Sequence, residues 1–302
     1  MSIMKQFMLV LAAAMASPIL AQAHETNPGA VDCDSCEQWN VPVQPFKLYG
    51  NSWYVGVAGV SAVLVTGPQG HILLDGGLPQ SAPLIEANIR ALGFRMEDVK
   101  LILNSHAHWD HAGGIAALQR ASGAAVLASA SSARALQSGT NTLDDPQYQA
   151  DPVVHVPKVA QVTLIKDGEV VKLGPLQLTA HMTPGHTTGG TTWTWQSCEA
   201  GRCRDIVYAD SLNAYASGDF AFSGNGKTPD ITASFRASIA KVAALPCDIM
   251  IPVHPGQVDL LEKAARRTAS SDPLIDTGAC RAYANAATAF LDKRLSKERA
   301  AK

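Results

Sequence analysis

Val99-Lys-Leu-Ile-Leu-Asn104 runs into His106-Ala-His108-Trp109-Asp110-His111 and then Ala112-Gly113-Gly114. An apolar run of this length has the character of a buried strand, so the histidines fall where a strand ends. Three imidazoles and a carboxylate within six residues are hard to account for as packing. On an extended chain His106 and His108 point to the same side, which suits two imidazoles on one ion. Asp110 and His111 lie on the turn that follows, where they can face that ion and hold a second. Gly113 and Gly114 let the backbone approach closely, having no Cβ.

Two ions need further ligands, and two histidines in loops next to strands supply them. His186 sits in Thr183-Pro-Gly-His-Thr-Thr-Gly-Gly190 and His254 in Ile251-Pro-Val-His-Pro-Gly256. Pro and Gly on both sides favour fixed loops over a helix or a core strand. The expected ligand sets are His106, His108 and His186 for one ion, and Asp110, His111 and His254 for the other. A bridging hydroxide completes both. Histidine with one carboxylate suits zinc, although iron and manganese accept the same ligands. His24, His71 and His155 are expected to do structural or surface duty, and so is His181 unless it supports His186 from behind.

The rest of the chain alternates. Phe46 to Gly56 is strand-like. Ser61–Thr66 and His71–Asp75 flank the hairpin turn Gly67-Pro-Gln-Gly70. Helical periodicity follows in 81–92, 115–122 and 131–137, with strands at 99–103 and 124–128. The second half repeats the theme with strands at 162–165, 169–173, 176–180, 191–195, 205–208 and 248–251, and helices at 232–245 and 281–295. Two strand-rich halves with outer helices predict a four-layer αβ/βα sandwich, two central sheets with helices on both outer faces. Ser138 to Pro157 is long and irregular, as binding loops are.

The 302 residues are 47% hydrophobic and 17% charged, the composition of a folded chain with ample core. Lys5 precedes an apolar run, Phe7 to Ala16, and Ala21-Gln-Ala23 has the small residues of a cleavage site. Residues 1–23 therefore read as a secretory signal peptide and 24–302 as one catalytic domain. The run is shorter than the ~20 residues of a membrane helix, so no membrane association is expected after cleavage. Loss of Lys5 takes the net charge from -2 to -3. The chain has no basic stripe, which argues against nucleic acid as a partner. Nothing in the pattern calls for obligate assembly, and a monomer is expected.

Export puts the six cysteines in an oxidising compartment. Cys198 and Cys203 close a short loop between strand-like runs. Cys247 and Cys280 form the long-range pair, tying a late strand to the head of the last helix. Cys33 and Cys36 are either a redox CxxC or a local disulfide. The acidic setting Asp32-Cys-Asp-Ser-Cys-Glu37 disfavours a thiolate and hence the redox role.

Asn104-Ser-His-Ala-His-Trp-Asp-His-Ala-Gly-Gly114 resembles the first motif of the metallo-β-lactamase superfamily. With Pro184-Gly-His-Thr-Thr-Gly-Gly190, Tyr208-Ala-Asp-Ser-Leu212 and Val253-His-Pro255, it is similar to the subclass B3 metallo-β-lactamases. Ser211 stands where other subclasses place a zinc-binding cysteine. The resemblance implies the same sandwich, a periplasmic or secreted location, two zinc ions per chain, and hydrolysis of the β-lactam amide of penicillins, cephalosporins or carbapenems by a zinc-bridging hydroxide that Asp110 orients. It implies substrate-carboxylate contacts from Ser211 and Gln147. Asn213, where such enzymes often have threonine, is taken as a third substrate contact. Trp53 and Tyr54 are candidates for the cleft mouth or for the core. The competing readings are a secreted metallo-hydrolase of the same fold acting on lactones or thioesters, in which Asp210 would bridge the metals, and a zinc-binding module without catalysis.

Overall fold

In the computed structural model, residues 29–148 and 154–301 are described. The expected signal peptide and His24 lie outside them, as does part of the 138–157 loop.

The strands in chain order are β1 (Phe46–Tyr49), β2 (Ser52–Tyr54), β3 (Val63–Gly67), β4 (Gly70–Leu74), β5 (Val99–Leu103), β6 (Ala125–Ala128), β7 (Val162–Leu164), β8 (Val170–Leu173), β9 (Leu176–Met182), β10 (Thr191–Glu199), β11 (Arg202–Ala209) and β12 (Ile249–Pro252). The helices are α1 (Cys36–Trp39), α2 (Ala82–Ala91), α3 (Trp109–Ala112), α4 (Ile115–Ser122), α5 (Ala130–Ser138), α6 (Thr232–Ala244), α7 (Leu260–Ala265) and α8 (Ala279–Ala300). One sheet has the order β1-β2-β3-β4-β5-β6-β7 and the other β12-β11-β10-β9-β8. β1 to β4 form an antiparallel meander, β4 to β7 run parallel, and in the second sheet only the β11–β12 pair is parallel.

The period-2 pattern of the strands makes the layers. Val63 and Val65 of β3 face inward, with Ile72 and Leu74 of β4, onto Leu178, Trp193, Trp195 and Ile206 of the second sheet. Leu64, Leu73, Ile102 and Val126 face outward onto Ile85 and Ile89 of α2 and Ile115 and Leu118 of α4. Val207 and Met250 do the same for the second sheet, under Phe235 and Ile239 of α6 and Leu291 of α8. This is the four-layer sandwich the sequence pattern implied.

Two expectations need correction. Phe46 to Gly56 is a hairpin, not one strand: Gly50 takes φ +52° and turns β1 back onto β2. β7 belongs to the first sheet, paired parallel with β6, although it follows the long loop and the sequence pattern places it with the strands of the second half. The helix breaks are legible in the chain: α4 ends at Gly123 and α5 at Gly139, both left-handed, and Ser129 caps α5 by accepting from the Ser132 amide.

Trp53 and Tyr54 are framework residues. Tyr54 is fully buried, and its hydroxyl donates to the Val57 carbonyl at 2.6 Å, holding the following loop. Trp53 packs edge-on against Phe94. All six cysteines pair, Cys33–Cys36, Cys198–Cys203 and Cys247–Cys280. No described helix is long and apolar enough to cross a membrane.

The Cys247–Cys280 bond spans 33 residues and joins the start of β12 to the first turn of α8, whereas Cys198–Cys203 spans five. Chain-entropy arguments assign about 3–4 kcal/mol to the longer loop and about 2 kcal/mol to the shorter. Cys247→Ser with Cys280→Ser should therefore lower the denaturation free energy more than the matching change at Cys198 and Cys203. Urea titration of the two double variants checks that order.

Candidate metal centre

The site forms at one end of the sandwich, where the last residues of β4, β5, β9, β11 and β12 meet. The two sheets are joined there by hydrogen bonds. The Thr191 amide donates to Ser105 O at 2.8 Å, the Trp193 indole to Asn104 O at 3.1 Å, and the Tyr208 hydroxyl to Asp75 Oδ2 at 2.9 Å. Asp75, fully buried, also accepts from the Ser105 amide (2.7 Å), the Ser105 hydroxyl (2.5 Å) and Asn104 Nδ2 (3.1 Å). The segment leading into the histidines is thus fixed before any of them is placed.

His106 and His108 leave β5 on extended chain, and Asp110 and His111 lie in α3. Their position depends on close backbone contact. The His111 carbonyl accepts from the Gly76 amide at 2.9 Å, and a Cβ on Gly114 would collide with the Gly76 carbonyl. His186 enters from the loop after β9 and His254 from the loop after β12. The rings of His106, His108 and His186 form a near-equilateral triangle, with centroids 4.8, 4.9 and 5.0 Å apart, and all three residues are buried. The second trio is tighter. His111 Nε2 is 3.2 Å from His254 Nε2 and 3.2 Å from Asp110 Oδ2, and His254 Nε2 is 3.4 Å from the same oxygen. The trios are adjacent: the His106 and His111 rings are 4.4 Å apart, and His106, Asp110 and His111 also group within ligand distance of one another. All six residues named from the motif spacing come together.

What orients the rings lies behind them. His106 Nδ1 faces Asp210 Oδ1 at 2.7 Å and His108 Nε2 faces both oxygens of Asp145 at 3.0 and 3.1 Å. His186 Nδ1 faces Asn213 O at 2.8 Å and His254 Nδ1 faces Gly59 O at 2.9 Å. Backbone carbonyls only accept, so His186 Nδ1 and His254 Nδ1 carry the proton; ionised Asp210 and Asp145 place it likewise on His106 Nδ1 and His108 Nε2, and in each ring the opposite nitrogen then presents a lone pair to the centre. Burial pushes His106 well below the ordinary imidazole range, helped by His111 and His108. Burial, with His108 beside it, pushes His186 down to about 3. Burial opposes ionisation of Asp110, but His111 and His254 outweigh it and hold the carboxyl well below the usual range. Burial lowers His108 and His254, but the Asp145 carboxylate beside His108 and the Asp110 carboxylate beside His254 outweigh it and raise both rings above the ordinary imidazole value. Neutral His106 and His186 and an ionised Asp110 are in the states a metal ion requires, and at His108 and His254 an ion would displace the proton.

The donors fit such an ion. His106 Nε2 is buried without a hydrogen-bond partner among the described residues, and His111 Nε2 and His254 Nε2 face each other as two ring nitrogens. A buried lone pair aimed at other lone pairs is costly unless a cation lies between them.

Above the centre opens a cleft of about 820 Å³, lined by Trp39, Trp109, Gln147, Ser211, Asn213 and Tyr215 among others. Ser211 Oγ is buried with no hydrogen-bond partner among the described residues, and Gln147 Nε2 lies 3.3 Å from His186 Nε2. Asn213 lines the cleft and also steadies His186 through its carbonyl. Asp210 does not reach between the trios: it sits behind His106, with Oδ2 toward Thr183. His181 bonds Thr194 Oγ1 at 2.8 Å across the sheet and gives no support to His186. His71 packs edge-on to Phe94, and His155 is exposed. Sequence reasoning missed Asp145, 37 residues from His108 in an irregular loop, and the Gly59 carbonyl. It also missed Trp39, whose ring lies 5.2 Å from His254. No spacing rule connects these residues to the motif.

Fold and centre together define a metal-binding protein on a four-layer sandwich. The sequence profile of the metallo-beta-lactamase superfamily matches residues 55–275. The structure superposes on MEM-A1, a subclass B3 metallo-beta-lactamase from a soil metagenome library, with TM-score 0.84 and 53% identity, covering 87% of this chain and 100% of that one. For Rm3 metallo-beta-lactamase the TM-score is 0.85 and the identity 52%, covering 89% and 100%. The chain belongs to the metallo-beta-lactamase superfamily and, within it, to the subclass B3 enzymes' family. A hydroxyacylglutathione hydrolase of Anaeromyxobacter dehalogenans (strain 2CP-C) is 31% identical over 212 residues, 70% of this chain. The chain spans 63% of that curated relative's length.

A Cβ on Gly190 would collide with Asp210 Oδ2 and the Thr183 carbonyl. Gly190→Ala should push Asp210 off His106 and weaken metal binding by about 10- to 100-fold, the usual cost of losing such a support. Chelator competition against the wild-type chain checks it.

Proposed function

We propose that this chain is an exported, two-zinc hydrolase of β-lactam amides. The observation that carries the reading is the pair of adjacent trios at the floor of an open cleft. A closed structural zinc site uses four protein ligands and leaves no room for substrate, whereas two three-ligand sets leave positions open. The relatives at 52–53% identity, both metallo-beta-lactamases, support the substrate class. The putting together of signal-peptide features in residues 1–23 with three disulfides supports the periplasm as location.

In this reading His106, His108 and His186 hold one zinc, and Asp110, His111 and His254 the other. Zinc, when bound, supplies the Lewis acidity and the activation of water that amide hydrolysis near neutral pH requires. The chain does the rest. The Asp110 carboxylate stays ionised, faces the second trio, and orients the attacking water by accepting its hydrogen bond. The Ser211 hydroxyl, without a partner among the described residues, donates to the substrate carboxylate, with Gln147 Nε2 donating from the loop side and Asn213 beside them. Trp39 and Trp109, stacked with centroids 6.2 Å apart, make an apolar wall that shields the reacting amide from bulk water.

The reading is tested with mature, zinc-loaded protein on a penicillin, a cephalosporin, a carbapenem, a lactone and a thioester. β-Lactam turnover should dominate and should be lost on chelation. His254→Ala should lower it at least about 100-fold, because a ligand is removed outright rather than loosened. Dominant thioester or lactone hydrolysis, or turnover indifferent to chelator, would contradict the proposal.

A further inference from the structure

We propose that Asp145 is a positioning residue that sets two things at once: which nitrogen His108 presents to the centre, and where Gln147 stands over the cleft. The inference rests on the functional reading above and adds to it a residue that reading does not use.

Asp145 is 7% exposed, and both its oxygens are engaged. Oδ1 and Oδ2 lie 3.1 and 3.0 Å from His108 Nε2, and Oδ1 also accepts from the Gln147 amide at 2.7 Å. The loop around it is braced independently. The Asp145 amide donates to Thr142 O (2.9 Å), the Tyr148 amide to Asp145 O (3.0 Å), and the Ser217 amide to Pro146 O (2.9 Å). Asp144 pairs with Arg134 of α5 at 3.2 Å. One carboxylate therefore joins a ring of the three-histidine trio to the backbone of the residue whose side chain reaches His186.

The chemistry requires a carboxylate. A carboxylate only accepts, so it can take the His108 Nε2–H and the Gln147 N–H together. That leaves the lone pair of His108 on Nδ1, facing the trio. An amide at position 145 cannot serve both without setting its own N–H against one of them. With Nδ2 in the place of Oδ2 it faces the His108 Nε2–H at hydrogen-bond distance, donor against donor, and the contact is relieved by turning the amide away from the ring or by moving the ring proton to Nδ1, the nitrogen needed by the ion. With the amide flipped, Nδ2 faces the Gln147 N–H and repels it. Either arrangement sacrifices a function that aspartate combines.

The test is Asp145→Asn, read three ways: zinc affinity by competition with a chromophoric chelator, the ring-nitrogen NMR spectrum of His108 in metal-free protein, and kcat and KM on a chromogenic cephalosporin at saturating zinc. The expected result is a loss of about 10- to 100-fold in affinity at one of two zinc sites. The His108 proton should shift to Nδ1, and KM should rise by about two- to tenfold. Gln147→Ala should raise KM while zinc affinity and the His108 spectrum stay at wild-type values. Asp145→Glu keeps an acceptor-only group, so it should keep the Nε2–H tautomer but raise KM by displacing the loop. That variant tests the proposal even where the asparagine variant does not fold. Wild-type zinc affinity, His108 spectrum and KM in Asp145→Asn, or a tautomer shift in Asp145→Glu, would overturn the proposal. A wild-type chain that binds two zinc ions and hydrolyses no β-lactam would instead sink the functional reading, with the affinity and tautomer measurements still deciding the role of Asp145.

Discussion

Everything in this molecule depends on holding neutral imidazoles with their lone pairs turned inward. An imidazole has two nitrogens, and only the one without a proton can take a metal ion. The chain settles the choice by backing four rings with acceptors: Asp210 behind His106, Asp145 behind His108, and the carbonyls of Asn213 and Gly59 behind His186 and His254. Burial then keeps His106 and His186 uncharged. Orientation is thus built into the protein at four rings and neutrality at two of them, while His108 and His254, raised by Asp145 and Asp110, give up a proton as an ion enters.

The sandwich is what makes that preparation possible. Its two sheets deliver the ligands separately, the first through the end of β5 and the second through the ends of β9 and β12. Buried bonds across the layers, from Trp193 to Asn104 and from Tyr208 to Asp75, keep the two deliveries in register. The glycines at 76, 114 and 190 serve the same end, since a side chain at any of them would force apart backbones or displace Asp210. Cleft-lining groups come from different elements again: Ser211 and Asn213 after β11, Gln147 from the long loop, and Trp39 from the disulfide-closed arm.

Much of this was legible in the chain because it is local. The His106–His111 spacing, the Pro- and Gly-flanked His186 and His254, and the strand and helix periods all act over a few residues. The same locality explains the misses. The turn at Gly50 is not legible in the pattern because aromatic and β-branched residues lie on both sides of it. β7 lies next to β8 in sequence, but its partner is β6, across the long loop, and no local pattern encodes that parallel pairing. Asp145 and the Gly59 carbonyl meet their histidines over separations of 37 and 195 residues, and no local pattern encodes such a meeting. Asp210 was legible as a residue with a role, but its place behind His106 came only from the fold.

The account stands on two adjacent ligand sets, each with its own ion. Anomalous scattering at the zinc edge from crystals of the zinc-loaded mature chain tests this most directly. Two peaks are expected, one among His106, His108 and His186 and one among Asp110, His111 and His254. A single peak, or a peak that leaves either trio without an ion, would contradict it.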